Sequence, residues 1–162
     1  MLRTAHDGDR DDVLRWRNHP AVRAVSLTRH VISTTEHAAW WDATTRDPTR
    51  RILVYDRANV PSGVVTFFDH DEAARTARWG FYLDNAGLEM RGELLPAWLQ
   101  IQRQAVRYAC DELGVRVLAG EVLADNAAVR QLNQRLGFVE VNTERREIDG
   151  VATDVVHVRK EW

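Results

Sequence analysis

The sequence has one cysteine, one lysine and no long apolar run. Cys110 is the only cysteine, and only Lys160 among the 22 basic residues is a lysine. A single cysteine excludes an internal disulfide or cysteine-based metal site, and its helical surroundings favour a buried thiol. No apolar run approaches the roughly 20 residues of a membrane span, and the first residues lack a signal-peptide pattern. We therefore expect a soluble, cytoplasmic protein without a membrane partner.

The charge balance and the length restrict the class further. The formal charge is −2, so the basic face that a nucleic-acid partner requires is not expected. The acidic run at residues 69–72 is typical of a solvated turn, and no metal is expected there. With 162 residues and no linker, repeat or low-complexity segment, we expect residues 1–162 to form a single domain.

The hydrophobic patterns predict a mixed α/β order of elements. A short strand precedes three helices, the third opened by a capping-box pattern of Ser33 and Glu36. Three strands follow, up to WGFYLD, and NAGLEMRGELLPAWLQ is predicted to begin as a loop. A long helix then ends at Gly114, a strand and a helix follow, and two strands flank a turn at Asp149–Gly150. This order predicts one α/β domain with a mixed sheet.

The segment VLAGEVLADNAAVRQLNQRLGF, together with this order, resembles the Gcn5-related N-acetyltransferase superfamily. The most specific part is Asn126, followed by Val129, Leu132 and a closing LGF at residues 136–138. The resemblance implies a mixed six- to seven-stranded sheet that is splayed at its centre, with helices on both faces. It also implies acetyl-CoA as co-substrate.

The same resemblance implies where the donor binds. The strands WGFYLD and LAGEVL would splay apart, and the backbone of Phe81, Tyr82 and Leu83 would pair with the pantetheine arm. Asn126 is expected to cap a helix, and a contact of its side chain with the donor is an open alternative.

The diphosphate-binding part of the family pattern departs from expectation. Members usually carry closely spaced glycines at the start of the long helix, but here the aligned positions are Leu94 and Pro96, or Pro96 and Trp98. Three explanations remain open. The loop binds CoA by a variant geometry, the donor is carried on the phosphopantetheine of an acyl carrier protein, or the domain is a non-catalytic binding module. The first would use the N–H groups of Arg91, Gly92, Glu93, Leu94 and Leu95, with the Arg91 side chain on phosphate.

The N-terminal half provides the acceptor candidates. WRNHPAVR and HVISTTEHAAWW resemble the transferases that acetylate nucleotide-linked amino sugars and, more loosely, those that acetylate ribosomal-protein N-termini. One of the adjacent Trp40 and Trp41 should anchor the core, and the other could stack on an acceptor ring. Arg17 could pair with an acceptor phosphate or form an ordinary ion pair. The candidate acceptor-binding residues are Arg17, Asn18, His30, His37 and Trp41.

The chemistry needs a base for the amine and an acid for the departing thiolate. Glu121 lies between apolar neighbours, so desolvation is expected to raise its pKa and make it a general base. A solvent-facing or ion-paired Glu121 is the alternative. The position of the usual family acid, a tyrosine, holds Asn133, which can hydrogen-bond the thioester but cannot act as an acid. Tyr82 and Tyr108 are the possible substitutes.

The sequence therefore predicts an N-acetyltransferase that moves acetyl from acetyl-CoA to a primary amine. The leading acceptor is the amino group of a nucleotide-linked amino sugar, and the enzyme alternative is a protein N-terminus. Pairing of the final strands across a homodimer is a further possibility.

Overall fold

The computed structural model describes residues 1–162 and contains seven strands and six α-helices. The strands are β1 (Leu2–Thr4), β2 (Arg51–Arg57), β3 (Val60–Asp71), β4 (Thr76–Leu83), β5 (Val117–Leu123), β6 (Val139–Ile148) and β7 (Val151–Glu161). The helices are α1 (Arg10–Arg17), α2 (Pro20–Ala24), α3 (Thr34–Arg46), α4 (Asn85–Met90), α5 (Leu94–Asp111) and α6 (Ala127–Arg135).

All seven strands belong to one sheet with the order β1-β2-β3-β4-β5-β7-β6. Only β4 and β5 pair in parallel, and all other neighbours are antiparallel. The α5 helix supplies the long connection that a parallel pair requires. The predicted mixed α/β fold, with helices on both faces of the sheet, is confirmed.

Several of the predicted helix and turn signals form as expected. Ser33 Oγ accepts the Glu36 N–H at 3.1 Å and caps α3, and Asn126 Oδ1 accepts the Val129 N–H at 3.4 Å and caps α6. Both residues of the Asp149–Gly150 turn have positive φ. Such a turn matches the twist of the two strands it joins.

The segment after β4 is a helix, so the prediction of a loop at its start is wrong. Asp84 caps α4 by accepting the Gly87 N–H at 3.0 Å, and the apolar Leu88 of this short helix is fully buried. Gly92 then adopts φ +67° and separates α4 from α5. The two glycines therefore lie at the ends of a helix and do not form a phosphate-binding loop.

Two hydrophobic cores lie on opposite faces of the sheet. The larger one packs α5 against side chains such as Leu53, Phe67 and Leu118. The smaller one packs α1 and α3 against β2 and β3, and its buried members are Val13, Trp16, Trp41, Ile52, Val54 and Val64. None of the helices combines the length and apolar character that a membrane crossing requires.

Trp41 belongs to this smaller core and His37 is buried beside it, so neither side chain is exposed for the predicted contact with the acceptor. Trp41 is 1% exposed and donates its indole N–H to Asp7 at 3.1 Å. His37 is buried beside Trp40 and Trp41. Burial lowers the pKa of His37, and the neighbouring Arg10 acts in the same direction. Of the adjacent tryptophans, Trp41 is the core anchor, and Trp40 is only partly buried.

We expect Trp41→Ala to lower the free energy of unfolding by about 3–5 kcal/mol, because it removes a large buried ring and leaves a cavity. Urea denaturation measures this loss, and Trp40→Ala is the matched control with a smaller expected effect. A variant of Trp41 that keeps its stability but binds the acceptor poorly would contradict this assignment.

Candidate active site

The sheet divides at its centre, between β4 and β5. These strands pair only from Thr76–Val117 to Arg78–Ala119. Beyond this point β4 remains paired with β3, and β5 remains paired with β7. The two halves of the sheet therefore diverge, as the sequence predicts, and unpaired backbone N–H and C=O groups face the opening.

A cavity of about 520 Å³ fills this opening and reaches both faces of the sheet. Side chains alternate along a strand, so Trp79, Phe81 and Val122 line its α5 and α6 side. Gly80 and Tyr82 line the side of the N-terminal helices. A Cβ on Gly80 would meet nothing within 4 Å, so the space beside this residue is open. The helices contribute Ala21, Val22, Leu94, Leu95, Trp98, Asn126, Val129 and Asn133, and the segment after α2 contributes Val25, Ser26 and Leu27.

Glu121 lines the cavity at the split and is clamped by two arginines. Arg146 Nη1 donates to Glu121 Oε2 at 2.8 Å, and Arg78 Nη2 donates to Oε1 at 2.5 Å. Arg146 also donates to Glu144 at 3.0 Å, and His157 lies 2.7 Å from the same carboxylate. The clamp therefore belongs to a network that joins β4, β5, β6 and β7.

This clamp reverses the predicted protonation behaviour of Glu121. The hydrogen bond from Arg146 lowers the pKa of Glu121, burial opposes it, and Arg78 lowers the pKa further. The prediction of a raised pKa is wrong, and the ion-paired alternative is confirmed. Glu121 is therefore an ionised carboxylate at neutral pH, which makes it a weak base but a strong hydrogen-bond acceptor.

Asn133 lies on the other side of the split from Glu121. It is 5% exposed and lines the cavity. Its side-chain amide makes no hydrogen bond within the chain, whereas its backbone carbonyl accepts the Phe138 N–H at 2.9 Å. The amide is thus free to donate into the cavity, which is compatible with the predicted hydrogen bond to a thioester. Asn126 also lines the cavity, beside its role as a cap.

The two tyrosines have different surroundings. Tyr82 lines the cavity, where burial raises its pKa and the nearby Arg17 acts in the opposite direction. Its phenol therefore holds its proton at neutral pH, which is the protonation state that the predicted acid requires. Tyr108 stacks on Phe67 with ring centroids 5.8 Å apart and does not line the cavity. It cannot replace the missing acid.

None of the predicted acceptor-binding residues lines the cavity, and several of them bind other parts of the chain. Asn18 exchanges two hydrogen bonds of 2.8 Å with the backbone of Ile32, so both of its side-chain polar groups are occupied. His30 lies 2.9 Å from Glu36 and 4.0 Å from Asp149. Neither residue lines the cavity, so direct contact of Asn18 or His30 with the acceptor stays a prediction.

Arg17 leaves one of its side-chain nitrogens without a partner. Nη2 donates to the Thr28 carbonyl at 2.7 Å, whereas Nη1 is buried without a hydrogen bond. Burial lowers the pKa of the Arg17 guanidinium, and Tyr82 and Glu36 oppose this shift. The side chain does not line the cavity itself but lies close to Tyr82, which does.

The predicted diphosphate residues divide in the same way. Leu94 and Leu95 line the cavity, and Arg91, Gly92 and Glu93 do not. Arg91 donates to Ser62 Oγ at 3.0 Å and to Glu93 at 3.3 Å, so its side chain is directed away from the position predicted for phosphate. The apolar split fits an acyl-pantetheine arm, but the start of α5 fits a diphosphate poorly.

Sequence reasoning did not identify several residues of the site. Trp98 has the helical spacing of the buried α5 residues, which indicates packing alone, although it lines the cavity. Arg146 reaches Glu121 from 25 positions away on β6, and no local spacing connects the two. Val25, Ser26 and Leu27, which follow α2, carry no motif that indicates a site.

The sheet splits beside the half-buried Glu121 carboxylate, and a largely apolar cavity fills the split. The chain belongs to the family described as Acetyltransferase (GNAT) domain, which it matches over residues 1–139. It therefore carries an acetyltransferase domain of the GNAT type, as the sequence predicts.

Solved structures share this fold at low sequence identity. The spermidine N-acetyltransferase from Vibrio cholerae, in complex with CoA and spermine, is similar with a TM-score of 0.84 and 20% identity, over 99% of this chain and 94% of that chain. The ribosomal-protein-alanine N-acetyltransferase from Brucella melitensis gives a TM-score of 0.78 and 17% identity, over 100% and 99%. No curated protein gives a significant sequence match. At these identities the likeness establishes the fold and leaves the acceptor open.

The arginine network makes a testable contribution to stability. Arg146, with His157, lowers the pKa of Glu144 from 4.5 to about 2, and the pKa of Glu121 is also below 4.5. A carboxylate with a lowered folded-state pKa contributes stability above its unfolded pKa and loses it as the pH falls through the folded value.

We therefore expect Arg146→Gln to lower the free energy of unfolding most above pH 4.5. The difference in this free energy between the variant and wild type should narrow as the pH falls toward 2. Urea denaturation across this pH range measures the difference. Arg145→Gln, which removes an exposed pair with Asp154, is the control. A difference that stays constant down to pH 2 would show that Arg146 acts through packing alone.

Proposed function

We propose that this chain transfers acetyl from acetyl-CoA to the primary amine of a small, anionic acceptor, and that the acceptor is a nucleotide-linked amino sugar. The observation that carries the proposal is the cavity in the split sheet. Glu121 lies toward the face of the N-terminal helices, and Asn133 lies toward the face of α5 and α6. An amine entering beside α2 meets a thioester entering beside α5 and α6. Proximity of this kind supplies much of the rate in acyl transfer.

The two polar side chains take complementary roles in this arrangement. Acetyl-CoA supplies an activated thioester carbonyl. Glu121 accepts a hydrogen bond from the acceptor amine and orients its nitrogen. The Asn133 amide donates to the charge that develops on the thioester oxygen or sulfur. The amine forms the new C–N bond as the C–S bond breaks, and its proton leaves toward solvent or the departing thiolate.

The charges on the side of the N-terminal helices support an anionic acceptor. The buried Nη1 of Arg17 lacks an acceptor, and a guanidinium left in this state gains from a phosphate or carboxylate partner. The carboxylates of the surrounding wall already have partners: Glu36 has His30, Glu144 has Arg146 and His157, and Asp149 accepts the Arg29 N–H at 2.8 Å. A polycation such as spermidine would compete with these partners for the carboxylates.

A panel of acceptors tests this proposal directly. CoA release is measured with a uridine-diphosphate amino sugar, the same sugar without its nucleotide, spermidine, and a peptide with an N-terminal alanine. The nucleotide sugar is expected to give the highest kcat/KM. Preference for spermidine or the peptide would overturn the acceptor assignment and leave the acetyltransferase assignment intact.

We expect Arg17→Gln to raise KM for the anionic acceptor by about 10- to 100-fold, because a charge-assisted hydrogen bond contributes about 1.5–3 kcal/mol. The value of kcat should change little. Arg15→Gln, on the same helix in an exposed pair with Asp12, is the matched control and should behave as wild type. An equal effect of Arg17→Gln on a neutral amine would contradict anion recognition.

We expect Glu121→Gln to lower kcat by about 10- to 100-fold with unchanged donor affinity, since a neutral amide orients the amine less strongly. Glu140→Gln, which removes a pair with Arg130 outside the site, is the control. The pH dependence of kcat/KM should follow the acceptor amine. A rising limb centred at about pH 6–7 that Glu121→Gln abolishes would instead show a base with a raised pKa.

A further inference from the structure

The segment between α4 and α5 uses its backbone donors to close α4. The Gly92 N–H donates to the Glu89 carbonyl at 3.0 Å, and the Glu93 N–H donates to the Leu88 carbonyl at 2.9 Å. The Arg91 N–H is also directed at Glu89. These bonds satisfy the carbonyls that a helix leaves open at its end. The same N–H groups are therefore not available to a phosphate.

The first turn of α5 offers only two further donors. The N–H groups of Leu94 and Leu95 have no acceptor within the chain, and Pro96 has no N–H to donate. The Ala97 N–H already donates to the Glu93 carbonyl at 3.0 Å. A helix start normally leaves four such groups for an anion. This helix therefore provides half of the usual set.

A carboxylate also lies at the start of α5. Glu93 precedes the first residue of α5, and its Oε2 lies 3.4 Å from Arg57 Nε and 3.3 Å from Arg91 Nε. The two guanidiniums are further occupied by Gln100 and Ser62. Glu93 thus complements the positive helix end from within the chain, and it competes with a bound anion for the same two guanidiniums.

The acyl arm, in contrast, meets a long apolar surface. Trp79, Phe81, Trp98, Val122 and Val129 line the cavity on the side of α5 and α6. Burial of apolar area provides most of the binding free energy in such a site.

We propose that this chain recognises its donor through the acyl-phosphopantetheine arm and gains little from the adenosine diphosphate part of CoA. Acyl thioesters of phosphopantetheine, including one carried by an acyl carrier protein, are then donors beside acetyl-CoA. The inference rests on the proposed function. In each case the acyl carbon leaves sulfur for the acceptor nitrogen, and the released thiol takes up the proton that the amine loses.

The test compares three donors with one acceptor: acetyl-CoA, acetyl-4′-phosphopantetheine and an acetylated holo carrier protein. The expected kcat/KM values for the first two agree within about threefold, and calorimetric affinities for CoA and phosphopantetheine agree in the same way. A more than 30-fold preference for CoA in both measurements would overturn the inference. Absence of turnover with every donor would overturn the proposed function instead. Turnover with the carrier protein distinguishes a carrier-borne donor from a free one.

Two substitutions provide a reciprocal test. Pro96→Ala adds an N–H and Glu93→Gln removes the competing carboxylate, so each should tighten CoA by about threefold or more without changing the affinity for phosphopantetheine. Glu112→Gln, at the opposite end of the α5 segment, should change neither affinity. If neither of the first two variants improves CoA binding, the start of α5 does not limit diphosphate recognition, and the inference fails.

Discussion

The site depends on the point where β4 and β5 stop pairing. Up to Arg78 and Ala119 the two strands form an ordinary parallel ladder, and beyond it each strand keeps only its outer neighbour. This opening exposes backbone groups that need partners, and it connects the two faces of the sheet. The cavity follows from this opening, and so does the position of Glu121 within it.

The arginine clamp on Glu121 stands at the last paired step of this ladder. Arg78 lies at that step on β4 and reaches across to β5, and Arg146 reaches back from the far edge of the sheet. A half-buried carboxylate without such partners would lose charge or stability. The clamp keeps Glu121 ionised and fixed in place, but the same contacts reduce its strength as a base. Orientation of the amine is therefore a better account of its role than removal of the proton.

Local signals in the sequence predicted most of the fold. The caps at Ser33 and Asn126 and the Asp149–Gly150 turn depend on neighbouring residues, so their patterns are visible in the chain. The site was less predictable, because its contacts are long-range. The adjacent positions of Trp40 and Trp41 do not reveal which ring is buried. Only the packing of α3 on the sheet assigns Trp41 to the core. The lowered pKa of Glu121 likewise depends on an arginine 25 positions away.

The start of α5 shows how one helix can change the site of its neighbour. Because α4 ends immediately before α5, the N–H groups that could face a ligand close α4 instead. Gly92 is retained, but its positive φ serves the helix end rather than a close approach to phosphate. The cavity beside α5 and α6 is nevertheless lined by apolar side chains, so this use of the α5 start and a site for an acyl arm are compatible within one fold.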